Sequence, residues 1–237
     1  MTKFIFTTPR WKHIQNLRVE SGDLSLLEGE GDALTLKMGI HRLLEGIPRL
    51  RNLRSLELNL PLHQNIVVHA LRGMTFPTQL ERFVTNQHST DIRSFDELFS
   101  IMRSIKSIQW MYNGLTNEPE RPIAPLKDPL PNLTELIVCL WPFTALMCGS
   151  PVTHLTIQHS VPGDPQEILR HVRRSTRDLT HLEVGFHPGS IPSPTVLLCS
   201  NLVQHIPSLR YLKISIRSPT IYNYRKEGFK SLRILAQ

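Results

Sequence analysis

Cysteine is scarce in this 237-residue chain, and the three present, Cys139, Cys148 and Cys199, form no C-x-x-C pair. An odd number at such spacings excludes a complete disulfide framework and argues against a thiol redox motif or a cysteine-built zinc site. Long apolar runs are also missing, since no stretch approaches the roughly 20 residues that a membrane-spanning helix requires. The amino-terminal Met1 to Pro9 is too short, and too polar beyond Phe6, for a secretory signal, so an intracellular protein is expected. The Asn132-Leu-Thr134 triplet then has no glycosylation to receive.

Local chemical motifs are equally thin. Gly29-Glu-Gly31 is not followed by a helix bearing the further glycine or lysine of a phosphate loop, and no G-x-S-x-G turn occurs. His13, His41, His63 and His69 give no i, i+4 pair around a glutamate. No cofactor, no metal and no enzymatic activity are therefore expected from sequence-local signals.

What the chain does have is a recurring phrase: apolar, two variable residues, apolar, one variable, apolar. It appears as Leu53-Leu56-Leu58, Ile105-Ile108-Trp110, Leu133-Leu136-Val138, Val152-Leu155-Ile157, Leu179-Leu182-Val184 and Leu209-Leu212-Ile214. Ile14-Leu17-Val19 and Phe229-Leu232-Ile234 add the ends, and Gly31-Leu34-Leu36 and Leu80-Phe83-Thr85 are weaker copies. Alternation at its end predicts a short strand with every second side chain in a core. Successive phrases start 17 to 30 residues apart, too far for hairpins and far enough for the crossovers of parallel neighbours.

Connections carry helix signals of their own. Ser94 and Glu97 have capping-box spacing ahead of Leu98, Phe99 and Met102. Asp164-Pro165 and Ser193-Pro194 each place proline at a first helical position, the second leading into Val196, Leu197, Leu198, Leu202 and Val203 as an apolar side. A weaker helix is predicted over Phe143 to Cys148. Pro48, Pro131, Pro151 and Pro207 precede strand phrases, where a helix must already have ended. The five prolines between 117 and 131 predict an extended excursion in place of one helix. The expected fold is thus α/β, one solenoid body over residues 1–237, with a parallel inner sheet of about ten strands and helices and loops outside.

Equivalent positions of successive phrases become neighbours in such a fold. The third, fifth and seventh positions then form rows on the concave face. The third-position row includes Glu135, His154, His181 and Tyr211. The fifth includes Val84, Glu183 and Lys213, and the seventh includes Met111, Cys139, Gln158 and Gly185. Glu135, His154 and His181 together are capable of metal ligation or acid-base work, but side chains in a flat ladder diverge, and a recognition patch is the expected role. Met111, Glu135, His154, Gln158, His181, Glu183, Tyr211 and Lys213 are the candidate partner-binding residues. Trp110 falls in core phase, and Trp141-Pro-Phe143 is expected in the core.

The net charge of +7 is carboxy-terminal: residues 1–118 hold 14 basic against 12 acidic side chains, and residues 119–237 hold 13 against 8. Its densest point, Arg170-His-Val-Arg-Arg174-Ser-Thr-Arg177, lies on a predicted outer helix. Nucleic-acid binding is the alternative function it suggests, although aromatic interleaving is missing and arginines near a helix carboxyl end are favoured by the helix dipole alone.

Ile47-Pro-Arg-Leu-Arg-Asn-Leu-Arg-Ser-Leu-Glu-Leu58 and Ile206-Pro-Ser-Leu-Arg-Tyr-Leu-Lys-Ile-Ser215 resemble the strand segments of leucine-rich-repeat proteins. The likeness covers almost the whole chain and is nearest to the irregular repeats of fungal F-box/leucine-rich-repeat proteins. That resemblance implies an irregular leucine-rich-repeat solenoid that captures a protein partner, as substrate receptors of ubiquitin ligases do. The helical F-box that precedes the repeats in that class has no room before Ile14, so capture is the part of the function carried over.

Overall fold

A computed structural model of the chain describes residues 13–20, 46–47, 50–59, 79–85, 99, 102–111, 126–160, 165–186, 203–216 and 230–235. Two compact units emerge, Met1–Glu118 and Pro119–Gln237, and the division falls in the proline-rich stretch. In the described part of that stretch no helix forms, and Leu126 and Leu130 are buried.

The first unit contains β1 (Asn16–Glu20), β2 (Ser55–Asn59), β3 (Arg82–Thr85) and β4 (Ser107–Trp110), each parallel to the next. Leu17, Leu56, Phe83 and Ile108 are register partners in turn, as the phrase alignment requires. The weak Gly31-Leu34-Leu36 phrase lies outside the described residues. Among the described residues, β1 pairs directly with β2.

In the second unit β5 (Glu135–Leu140), β6 (His154–Ser160), β7 (His181–Phe186) and β8 (Tyr211–Ile216) stack in the same way. A 3-10 helix, Trp141–Met147, connects β5 to β6, in place of the α-helix predicted there, and α1 (Pro165–Val172) lies between β6 and β7. Each unit is thus a run of stacked strand-and-connection coils, an α/β solenoid with few helices among the described residues. Among the described residues, parallel strands number four in each unit, eight in place of the ten expected.

The last phrase does form a strand, β9 (Lys230–Leu235), but it runs antiparallel to β8, against expectation. The reason is physical: a period of two encodes which side chains share a face and is blind to strand direction. Direction is set by the chain leading in. Coils that return parallel commonly carry a tight turn with a buried apolar residue at each end. Examples are Leu50 to Leu53, Met102 to Ile105, Leu130 to Leu133 and Ile206 to Leu209, closed by N–H to C=O bonds of 3.0, 3.1, 3.3 and 3.0 Å. Ahead of Phe229 the matching position is Lys226.

After this turn a second device repeats. The carbonyl of the second phrase residue accepts two N–H groups from the next coil. Thr134 receives Thr153 and His154 (2.9 and 3.0 Å), Thr153 receives Thr180 and His181 (2.9 and 3.0 Å), and Thr180 receives Arg210 and Tyr211 (2.9 and 3.1 Å). Gln15 does the same for Arg54 and Ser55 in the first unit, at 2.7 and 3.0 Å. Ser104 and Ser208, each just before a phrase, donate to the carbonyls of Leu80 and Leu179 at 2.8 and 2.9 Å. Register is therefore pinned by backbone bonds as well as by burial.

Between those bonds the core is a stack of leucines. Leu136, Leu155, Leu182 and Leu212 are 0%, 1%, 0% and 4% exposed, and each such burial is worth roughly 2 kcal/mol. Trp110 is buried as expected, with its ring centroid 6.3 Å from that of Phe99. On α1, Leu169 and Val172 face inward. Phe99 and Met102, on the apolar side of the helix predicted to open at Ser94, are buried too, while residues 94–98, 100 and 101 lie outside the described residues. Val203 departs from its expected apolar side: it is 46% exposed, because it sits in the last turn and Ile206 takes the buried place.

One irregularity shapes the second unit. Val138 pairs with Ile157 but Leu140 pairs with Ser160, so Gln158 and His159 together oppose Cys139. This β-bulge thrusts the Gln158 carbonyl toward β7 at Gly185, where a Cβ would overlap that oxygen and lie 2.7 Å from its carbon. Past the bulge the simple alternation fails: Cys139 and Gly185, expected on the open face, are buried. Val84 is likewise buried at 4% exposure, an apolar residue on a short strand with pattern exposed-buried-buried-buried.

Candidate partner-binding face

Register brings Glu135, His154, His181 and Tyr211 into one row across β5 to β8. Neighbouring strands lie about 4.8 Å apart, so flat side chains in register on one face are driven to stack. The His154 and His181 rings do so, with centroids 4.1 Å apart and planes 16° from parallel. Tyr211 continues the series at 5.6 Å and 31° from His181. His154 is exposed, and Glu135, His181 and Tyr211 are half-buried.

The next row pairs Glu183 with Lys213 by register, and the Lys213 ammonium donates to the Glu183 carboxylate at 3.0 Å. Gln158 is half-buried at the bulge. Met111 belongs to the first unit, half-buried after β4, with its N–H donating to the Thr85 carbonyl at 2.6 Å. Of the eight candidates, the six on the third and fifth positions of β5 to β8 are thus assembled as adjoining rows.

Two residues that phrase reading passed over hold this row in place. Thr153 and Thr180 each place Oγ1 2.9 Å from Nδ1 of the histidine that follows, and 3.3 and 3.2 Å from the carbonyls of Thr134 and Thr153 respectively. Their signal was present as the Thr-His dipeptide at the same phrase position in consecutive repeats. Burial holds the His154 pKa below the ordinary imidazole value, reinforced by the His181 charge and opposed by Glu135.

Stacking limits what chemistry these rings support. Near-parallel imidazoles direct their in-plane lone pairs side by side, whereas metal ligands converge on a point. Among the described residues no group of three His, Cys, Asp or Glu is arranged to hold a metal ion.

Arg170, Arg173, Arg174 and Arg177 are exposed at and beyond the end of α1. Backbone bonds anchor the segment: Gly149 donates to the Arg174 carbonyl at 2.7 Å, and Thr176 donates to that of Ser150 at 3.1 Å. His171 is half-buried with Nδ1 2.6 Å from Thr144 Oγ1, and burial, then Arg174 and Arg170, lowers its pKa. Cys139 and Cys148 are buried, and burial raises the Cys148 pKa against the pull of Arg174.

No protein-family model matches the chain, and no curated protein matches it. Among the described residues, no helix is long and apolar enough to cross a membrane.

Proposed function

We propose that the chain is a non-enzymatic protein-interaction module, and that its partner docks on the polar face of β5 to β8. The observation that carries this reading is the in-register row His154, His181 and Tyr211, an accessible aromatic ladder flanked by the Glu183–Lys213 pair. Interfaces draw most of their energy from a few rigid aromatic and charged anchors. Strand stacking supplies such anchors with little side-chain freedom left to lose on binding.

The leucine-rich-repeat resemblance of 47–58 and 206–215 makes this an irregular leucine-rich-repeat solenoid. It works inside the cell as a substrate receptor of the kind found in fungal F-box/leucine-rich-repeat ubiquitin-ligase subunits. The test compares proteins crosslinked in cells to the intact chain and to a His181→Ala, Tyr211→Ala double variant of matched stability. A partner lost from the double variant alone is expected; identical sets from both chains refute the reading.

A second reading rests on the exposed arginines 170, 173, 174 and 177. Nucleic-acid binding there requires affinity for a DNA duplex that falls steeply with salt, with a slope scaling with the phosphates neutralised. A flat salt response removes it.

A further inference from the structure

Hydroxyl side chains near the turns of this chain commonly help to fix register. Ser104, Ser175 and Ser208 reach backbone carbonyls of the preceding coil at 2.8, 2.8 and 2.9 Å, and Thr153 and Thr180 do so at 3.3 and 3.2 Å. Thr176 differs. It is exposed in the segment beyond α1, outside helix and strand, and among the described residues its hydroxyl makes no hydrogen bond. Its N–H donates to the Ser150 carbonyl at 3.1 Å, which gives the residue a fixed place on the surface.

The residues around Thr176 give that hydroxyl a chemical address. Arg173 and Arg174 stand three and two residues before it, Arg177 follows, and all three are exposed. Among the described residues Arg173 and Arg177 enter no ion pair. Guanidinium groups at the two preceding positions suit a protein kinase whose peptide groove is lined with carboxylates, because each pair forms bidentate, charge-assisted hydrogen bonds. Thr180 is the contrast. Arg177 stands three residues before it, but Asp178 takes the place of the second arginine, and the half-buried Thr180 hydroxyl is bonded to the Thr153 carbonyl.

We propose that Thr176 is a phosphorylation site for an arginine-directed protein kinase, with ATP as the phosphoryl donor. Thr176 Oγ1 attacks the γ-phosphorus, and the new O–P bond replaces the bond to the β,γ-bridging oxygen. ADP departs with that electron pair, and the hydroxyl proton passes to a carboxylate of the kinase. The modification is independent of the partner face on β5 to β8. Residues 170–178 hold four arginines and Asp178, a formal charge of +3 with His171 neutral. A phosphate of about −2 brings this to about +1, so the segment loses most of its pull on any polyanion.

The test treats the folded full chain with ATP and the catalytic subunit of cyclic-AMP-dependent protein kinase, an arginine-directed enzyme, and maps phosphate by fragmentation mass spectrometry. Thr176 is expected to be modified, with Ser175 and Thr180 left bare; phosphate on either of those ahead of Thr176 overturns the proposal. A folded chain that stays unmodified at Thr176 while a synthetic 168–182 peptide is modified there also overturns it, because the fold then closes the site. Thr176→Ser is expected to keep the site and Thr176→Ala to abolish it. Arg173→Gln leaves Arg174 on the Cys148 thiol and is expected to lower kcat/KM at Thr176 at least about tenfold, the loss of one charge-assisted pair. An unchanged kcat/KM in that variant removes the arginine recognition and with it the proposal.

Discussion

Replacing Gly185 by alanine tests the bulge in β6 directly. The φ of Gly185 lies outside the left-handed region, so its need is for space rather than for conformational freedom. An added Cβ would stand 2.7 Å from the Gln158 carbonyl carbon and 3.2 Å from its Cα, and would overlap the carbonyl oxygen. Ordinary carbon-to-oxygen approach is about 3.3 Å, so the oxygen must retreat by something on the order of an ångström. That atom is backbone, and it cannot swing aside as a side chain does. Overpacking costs about 1–3 kcal/mol, and this contact belongs at the upper end. Lower entropy of the unfolded alanine chain offsets about 0.4–1 kcal/mol, leaving a loss of about 2 kcal/mol. Urea unfolding of the two chains measures it as a lowered midpoint. Deleting His159 from the alanine variant removes the extra residue and is expected to return part of the loss, a non-additive coupling. A Gly185→Ala chain within about 0.5 kcal/mol of the parent, the range of ordinary surface changes, refutes the bulge.

Further outcomes follow from the same packing. Leu155→Ala empties a site that is 1% exposed between Leu136 and Leu182, and a loss of about 2–5 kcal/mol in urea unfolding is expected. Thr85 occupies a phrase position that is apolar in the other coils, and its buried Oγ1 has no hydrogen-bond partner among the described residues. Thr85→Val is therefore expected to raise stability by about 1 kcal/mol, seen as a higher urea midpoint. Lys213→Met, which breaks a pair whose side chains are 28% and 34% exposed, should cost less than about 1 kcal/mol. The His171 pKa is lowered in the folded chain, so the unfolded chain binds more protons below the ordinary value of 6.5. Stability is thus highest above that value and falls as pH drops through the lowered folded value; His171→Gln is expected to flatten this fall in urea midpoints measured from pH 8 to pH 5.

How much was legible differs between fold and face. Leu136, Leu155, Leu182 and Leu212 were readable as core because burial of alternate residues leaves a period of two in the sequence, and their exposure of 4% or less agrees. Row membership at Glu135, His154, His181 and Tyr211 followed from that same phase, and the register matches residue for residue. The failures are local. Cys139 and Gly185 were misplaced because a bulge adds one residue without altering the pattern on either side.

The sequence by itself determined the phase: which side chains share a face, where proline and tight turns return the chain, and that strands of a unit lie side by side in chain order. Strand direction at β9, the bulge facing Gly185, and the stacking of His154 on His181 were decided by tertiary structure alone. Each of these depends on a group from a different coil: a pairing partner, a crowding carbonyl, a neighbouring ring. No pattern along one segment carries that information.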